Sequence, residues 1–361
     1  MRSTLQREYY VEREWFDKES KNIFHSDWIC VARIEDFHAA GDYKLIDISG
    51  QSIIILKGSD DLIRGFYNFC RHRGCELIDT KNITEEGNFR HSIRCPYHSW
   101  TYDLNGRLLN APHIDINKND DQFHLKQIYV ESWGGFLFIK IGQQGDSLKK
   151  HLNEVPELLK RYPLKNLESG IKMTYEVNCN WKVILENYNE CYHCAGVHPE
   201  LCEIVPAFRK NGGSNLDWEN GVPHKEGANT FTMSGTTTRK PFPGLNEYEQ
   251  DRHFGQAVYP NLLISLAMDH VAVFIIKPIN EKNTEIEFRI LFHPSEISKD
   301  NFDPSDTLEL WDITNKQDWD ICEKVQRGMN SKGFEQGYYA EMEDENLDVK
   351  NYIEVKLNLN N

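Results

Sequence analysis

Two short segments in the first third of the chain, Cys70-Arg71-His72 and Cys95-Pro96-Tyr97-His98, each supply one cysteine and one histidine. Two thiolates and two imidazoles make a metal site, and their spacing decides which kind. A structural zinc site of the Cys2His2 type draws its cysteines from one short segment and its histidines from another. Here each segment gives one of each, the pattern of a two-iron cluster in which one iron is held by sulfur and the other by nitrogen. Neutral imidazoles leave such a cluster less negative than four thiolates would, so it accepts an electron at higher potential. A chain organised round this feature handles single electrons.

At 361 residues the chain holds one large or two ordinary domains with a real core, and 12% aromatic residues support that core. A formal net charge of −15 argues against nucleic acid or an anionic membrane as partner, because a polyanion is repelled. Nine cysteines are too few for a secreted disulfide scaffold, so reduced, buried thiols are expected. Met1 to Ser20 is charged throughout, with no apolar stretch of signal-peptide type. The longest apolar runs, Ile53 to Leu56 and Leu262 to Met268, are strand-length, and a cytoplasmic protein that spans no membrane is expected.

From Gly41 to Gly142 the pattern is short strands between turns: Tyr43 to Ile48, Ser52 to Lys57, Ile63 to Asn68, Thr101 to Leu104, Ile128 to Trp133 and Phe136 to Ile141. Asp103-Leu104-Asn105-Gly106 is a hairpin signal. The pattern then changes: a charged helical stretch from Asp146 to Arg161, a strand from Met173 to Asn178, and a helical segment from Trp181 to Ala195. Leu262 to Met268, Ala272 to Lys277 and Ile286 to His293 read as successive strands, and Thr307 to Met329 as a long helix after Asp303-Pro304-Ser305. Asn215 to Tyr248, rich in Gly, Pro, Asn and Thr, is expected to contain a long mobile loop. The fold class is α+β, divided into an N-terminal helical segment packed on the catalytic domain (1–40), an all-β cluster domain (41–143) and the catalytic domain (144–361).

A second constellation lies in Glu186 to Pro199, where His193 and His198 stand five positions apart. On an ideal helix that spacing turns them about 140° from one another, so the helix must loosen or end between them. Gly196 and Pro199 supply the break. Two histidines and one carboxylate form the facial triad of non-haem Fe(II) sites, which leaves coordination positions open for O2. Helix phase points to the carboxylate: Leu308, Trp311, Asn315, Asp318, Cys322, Val325 and Met329 follow 3,4 spacing, placing Asp318 on a buried face while Asp320 and Glu323 fall off it. A carboxylate there needs a partner, either a divalent metal or a core arginine. His113, His124, His151 and His253 lie outside any motif; His270, beside Asp269, is a weaker candidate for the pocket.

The residues flanking the first two pairs, through Gly74 and Trp100, resemble the cluster loops of Rieske oxygenases. Cys75 faces Tyr97 where respiratory Rieske proteins place a disulfide, so the resemblance is to the oxygenase branch. The stretch Arg73 to Arg94 is longer than usual for that family and is expected to form a hairpin around Asn82 to Asn88. The segment Gln317-Asp318-Trp319, together with Trp133-Gly134-Gly135-Phe136 and Tyr259-Pro260-Asn261-Leu262, extends the resemblance over most of the chain. It implies a small all-β Rieske domain and a helix-grip-like antiparallel-sheet catalytic domain, with a [2Fe-2S] cluster on Cys70, His72, Cys95 and His98 and mononuclear Fe(II) on His193, His198 and Asp318. Glu190 and Asn187 are the implied catalytic residues, Glu190 carrying electrons from the cluster of a neighbouring subunit.

A glutamate at position 190, where most of the family has aspartate, resembles the quaternary-ammonium branch, the choline, carnitine and glycine betaine monooxygenases. The branch implies hydroxylation and N-demethylation of such a compound (glycine betaine first, then choline, carnitine or stachydrine) with O2. No Gly-rich dinucleotide fingerprint follows a strand, so NAD(P)H and flavin belong to a separate flavin/ferredoxin-type reductase. A homotrimer is the implied assembly. A trimethylammonium group offers no N–H donor, so aromatic faces should surround it: Phe231, Tyr259, Phe242 and Trp218 are the expected walls, with Arg239, Lys240 and His270 as candidates for a substrate carboxylate. The alternatives are an aromatic-ring hydroxylating or aryl-demethylating oxygenase, and a Rieske electron carrier without oxygenase activity.

Overall fold

The structure of the protein, a computed structural model, describes residues 2–79, 85–142 and 145–359. The chain forms two compact units, one of Phe24–His151 and one of Met1–Ile23 with Leu152–Asn361. The 143/144 boundary and part of the Asn82 to Asn88 hairpin read from the sequence lie outside the described residues. Residues 1–40 are not one helical segment. Strand β1 (Arg2–Gln6), helices α1 (Glu8–Val11) and α2 (Arg13–Glu19) and a π-helical turn, Ser20–Phe24, come first, and then β2 (Ile29–Arg33) enters the sheet of the smaller unit. All five residues of β2, Arg33 included, are buried although the strand stands at one end of that sheet, next to β11.

In the smaller unit β2 joins β3 (Asp42–Ile48), β4 (Gln51–Lys57), β5 (Ile63–Tyr67), β6 (Glu86–Asn88), β10 (Gln127–Trp133) and β11 (Phe136–Lys140) in an antiparallel sheet of order β2-β11-β10-β5-β4-β3-β6. Ile53 to Leu56 are fully buried, so β4 is covered on both faces. A separate three-stranded sheet holds β7 (Ile93–Arg94), β8 (Thr101–Tyr102) and β9 (Leu108–Asn110). The turn between β8 and β9 is the expected one: Asp103 Oδ1 accepts from the N–H groups of Asn105 and Arg107, both at 2.8 Å. Gly106 closes it at φ +84°, where a Cβ would stand 2.5 Å from the Phe66 ring.

The helical stretch after residue 146 is broken by Asn153, at φ +47°, into α3 (Leu148–Leu152), where the smaller unit ends, and α4 (Val155–Leu158) of the larger unit. The core is an antiparallel sheet of β12 (Glu168–Val177), β13 (Val222–Pro223), β14 (Arg252–Val258), β15 (Leu262–Leu266), β16 (His270–Asn280) and β17 (Asn283–Phe292), ordered β12-β17-β16-β15-β14-β13. The long β16–β17 hairpin sets Phe274 opposite Phe288. Helices α5 (Trp181–Tyr188), α6 (Cys194–Val197), α7 (Pro199–Ile204), α8 (Pro294–Ile297) and α9 (Ser305–Met329) follow the chain between and after the strands. Beyond them β18 (Gln336–Tyr339) pairs with β1, and α10 (Glu345–Leu357) ends the fold. The segment 215–248, expected to contain a mobile loop, is irregular but packed: Thr230, Phe231, Thr232 and Phe242 in it are all buried. Apolar anchors spaced along a turn-rich stretch hold it where periodicity gives no signal. No helix among the described residues is long and apolar enough to cross a membrane.

Candidate active site

The two cysteine-histidine pairs sit at loop tips of the smaller unit. Cys70 and Cys95 are buried within its apolar core beside Phe66, Trp100 and Tyr102, whereas His72 is half-buried and His98 exposed. The imidazole rings face one another edge-on, 4.8 Å between centroids, and His72 stacks on Trp100 at 5.2 Å. Burial pushes the Cys70 thiol up, but hydrogen bonds from Tyr102 Oη, at 3.3 Å, and from the His72 backbone N–H favour its anion. Gly74, at φ +75°, closes the first loop with its N–H on the Cys70 carbonyl at 3.0 Å. Two inward sulfurs and two outward imidazoles converging from two loops suit a cluster with mixed ligands. Cys75 is a free thiol beside the Tyr97 backbone.

The second site is built on α5. Asn180 caps that helix with Oδ1 on the Lys182 N–H at 3.1 Å. Trp181 and Lys182 anchor it on α2, the indole N–H donating to Glu19 at 2.8 Å and the ammonium pairing with Glu19 at 2.6 Å, all three side chains fully buried. The helix stops at Tyr188, earlier than the helical pattern suggests, so Glu190 lies in a turn and not on one helical face with His193. Its carboxylate holds that turn together: it accepts from the N–H of Tyr192 and of His193 and, at 2.5 Å, from His193 Nδ1. Short α6 then ends at His198, whose φ/ψ of −118°/71° leads into Pro199 at the first position of α7. The break falls at His198–Pro199, and Gly196 stays inside α6.

α9 delivers the third group. Its buried face runs through Thr307, Trp311, Thr314, Asn315, Cys322, Gln326 and Met329. Val325, placed on that face by the 3,4 pattern, is exposed, and Gln326 takes its place, accepting from the Asn180 N–H at 2.8 Å and donating to the Tyr10 carbonyl at 3.2 Å. This phase brings Asp318 Oδ1 to 2.8 Å from His198 Nε2 and 3.3 Å from His193 Nε2, with the two Nε2 atoms 3.2 Å apart. Ligand bonds of about 2.1 Å at right angles place donors about 3.0 Å from one another, so this set fits a divalent metal with a facial triad. Both imidazoles are oriented for it. Glu190 holds His193 Nδ1, and Gln317 Oε1 accepts from His198 Nδ1 at 2.8 Å while its own amide donates to Glu200 at 2.9 Å, which leaves each Nε2 free. Burial opposes a charge on His193, yet the Asp318 and Glu190 carboxylates push it up to about 10; the locus between the three donors favours a cation. Cys194 Sγ is also close, 4.0 Å from His193 Nε2, but it is bonded to Cys191, an exception to the expectation of reduced thiols. Asn187 Nδ2 lies 3.4 Å from His193 Nε2.

Beside these donors is a cavity of about 560 Å³. Asn187, Glu190, His193, His198 and Asp318 line it together with three of the four aromatic residues expected as walls, Trp218, Phe231 and Tyr259. Phe242 does not: it is buried in the core against Tyr162, with ring centroids 6.1 Å apart. His270 is fully buried behind the wall, its Nδ1 on Asp269 and its Nε2 accepting from Trp311 Nε1, both at 2.9 Å. Arg239 is held by Asp269 at 2.7 Å and Asp306 at 2.9 Å, and Lys240 is exposed and outside the lining, so neither waits for a substrate carboxylate. His253, set aside from the sequence, does line the cavity; the strand register that turns it inward is invisible to motif reading.

Residues 164–355 match the family described as ring hydroxylating alpha subunit (catalytic domain), and residues 27–124 match the Rieske [2Fe-2S] domain. The glycine betaine monooxygenase oxygenase subunit of Pseudomonas aeruginosa is 27% identical over 93% of this chain and 85% of its own. The carnitine monooxygenase oxygenase subunit of Acinetobacter pittii is 28% identical over 92% and 86%. The crystal structure of the quaternary ammonium Rieske monooxygenase CntA in complex with L-carnitine superposes with a TM-score of 0.75 at 25% identity, covering 98% of this chain and 95% of that one.

Proposed function

The chain belongs to the ring-hydroxylating alpha-subunit family and is a Rieske non-haem iron oxygenase, and from that premise we propose that it is the terminal oxygenase of a monooxygenase acting on a small quaternary ammonium compound. The observation that carries this reading is the convergence of His193, His198 and Asp318 on an aromatic cavity whose lining includes the exposed carboxylates Glu154, Glu219, Glu345 and Asp348. Aromatic faces and a negative field recognise a cation that has no N–H to donate. A reaction site of this kind has no use in a simple electron carrier, and the carboxylates are a poor match for a neutral ring or an aromatic acid.

Iron on His193, His198 and Asp318 would supply O2 activation, with electrons from a cluster on Cys70, His72, Cys95 and His98. The chain's own residues do the rest. Glu190 and Gln317 keep the two imidazoles in the tautomer that presents Nε2. Glu190, on the rim of the donor set, is the residue through which an electron from a neighbouring subunit's cluster would arrive, with a homotrimer as the implied assembly. Trp218, Phe231 and Tyr259 hold the ammonium head against the wall and keep water from the reacting C–H bond. An N-methyl group hydroxylated there is a carbinolamine, which loses its hydroxyl proton and splits into formaldehyde and the demethylated amine. A separate flavin/ferredoxin-type reductase would feed the cluster from NAD(P)H, in the cytoplasm.

The test is to supply the purified oxygenase with a surrogate reductase and NAD(P)H and to measure O2 consumption and formaldehyde. Glycine betaine, choline, carnitine and stachydrine are compared with a panel of aromatic acids. Oxygen consumption coupled to at least one ammonium compound, with formaldehyde wherever an N-methyl group is attacked, is expected; turnover coupled only to aromatic compounds overturns the reading.

A further inference from the structure

His253 is an imidazole in the cavity wall that neither holds nor orients a metal. It lies on β14, paired with Val222 of β13. Its ring stacks on Phe231, centroids 4.3 Å and planes 19° apart, and meets Phe208 and Trp218 edge-on at 6.2 and 6.1 Å. The side chain is 6% exposed, and its Nδ1 is buried without a hydrogen-bond partner among the described residues. A phenylalanine would stack on Phe231 equally well and leave no polar atom unsatisfied, so packing alone does not account for a histidine here. Thr314 Oγ1 and Trp319 Nε1, on the same lining, are also buried and without partners. Burial, reinforced by His224 and His270 nearby, holds the His253 pKa well below its ordinary value, so the ring is uncharged near neutrality.

The charges round the cavity bear on what such a group would meet. Arg161 is the one lysine or arginine among the lining residues; its guanidinium is ion-paired with Glu249 and covers the Phe254 ring at 4.9 Å. The other acidic lining residues away from the metal donors are Glu154, Glu219, Asp348 and Glu345, the pKa of the last pushed up to about 7 by burial and by Asp348 beside it. A carboxylate entering this wall is desolvated among carboxyl groups, and its only cation is already ion-paired with Glu249 and keeps one buried N–H, Nε, without a partner among the described residues, whereas a hydroxyl needs just the neutral donors and acceptors present.

We propose that His253 is a specificity-determining residue whose imidazole hydrogen-bonds the oxygen on the tail of an N-methylammonium substrate, and that the wall selects a hydroxyl tail over a carboxylate tail. This rests on the quaternary-ammonium reading of the cavity and narrows it from betaines to alcohols of the choline type.

Calorimetric titration of the anaerobic holoenzyme measures it without depending on product. The ligands are choline, glycine betaine and propyltrimethylammonium, in which a methyl replaces the hydroxyl of choline. Wild type should bind choline about tenfold more tightly than either of the others. His253→Phe should weaken choline about tenfold and shift propyltrimethylammonium less than twofold, and His253→Gln should restore part of the loss. Cluster absorption and iron content check that each variant is folded, and the ligand series on wild type stands if one is not. Equal binding of choline and propyltrimethylammonium by wild type, or equal losses on both in His253→Phe, overturns the role of His253. Tighter binding of glycine betaine than of choline overturns the tail preference. Binding of none of the three would instead remove the quaternary-ammonium reading itself.

Discussion

The two donor sets of this chain are built in opposite ways. In the smaller unit all four donors come from two loops between Cys70 and His98, and the two cysteines belong to the apolar core that the loops close over. In the larger unit the donors are spread from His193 to Asp318, across a helix end and the middle of a 25-residue helix, and each imidazole has its second nitrogen held by another side chain. The local set forms wherever its hairpins form. The distributed set exists only while α9 packs in one phase, since a one-residue slip turns Asp318 about 100° away from the histidines. Robustness therefore differs: the first depends on turns, the second on packing and on the groups behind the ligands.

The largest effect that separates the two sets is expected from Asp318→Ala. Removing the carboxylate leaves two imidazoles, too few to hold iron at this site. Iron should fall from about three to about two per chain and oxygenase activity should vanish, while the visible spectrum of the cluster stays unchanged. Retention of the third iron would take Asp318 out of the ligand set. Next comes Glu190→Gln. The amide still fills the turn and can still accept from the Tyr192 and His193 N–H groups, but it carries no charge and makes a weaker contact to His193. Both metals should remain, and substrate-coupled turnover should drop by at least about a hundredfold, read as O2 consumed against product formed. Full activity would end the electron-transfer role for Glu190.

The same contrast explains what could be seen in the sequence. Cys70, His72, Cys95 and His98 are legible because a loop puts neighbours in sequence next to each other in space, and the β-hairpin at Asp103–Gly106 follows the same rule. His193 and His198 are legible for that reason too. Asp318 needed the helix phase of α9, which is a sequence property, but the phase misplaced Val325, whose position on the buried face belongs to Gln326. The support of His198 by Gln317 and Glu200 could not be read, because it depends on where separate elements meet, and the hold of Glu190 on His193 depends on where α5 stops. The pocket walls show the limit most clearly: Phe242 and His270 went into the core and His253 into the cavity; strand register decides it for the two histidines, and the packing of an irregular segment for Phe242.

Two smaller effects sharpen the comparison from the side of the supporting groups. Gln317→Leu removes the acceptor for His198 Nδ1 and leaves Glu200 without its amide donor. Losses of this kind typically cost ten- to a hundredfold in metal affinity, so mononuclear iron should be lost in a chelator titration well before that of wild type, with the cluster unaffected. In the smaller unit Tyr102→Phe removes the hydroxyl that lies 3.3 Å from Cys70 Sγ and accepts the Arg71 N–H at 3.0 Å. A hydrogen bond to sulfur stabilises the reduced, more negative cluster more than the oxidised one, so its loss should lower the reduction potential. A differential of about 1 kcal/mol corresponds to on the order of 40 mV for one electron, measurable by redox titration of the cluster signal. Iron content and the His193–His198–Asp318 site should not respond. If the potential stays where it was, Tyr102 serves the core and the Arg71 loop alone, and the cluster set is even more self-contained than the donor set on α9.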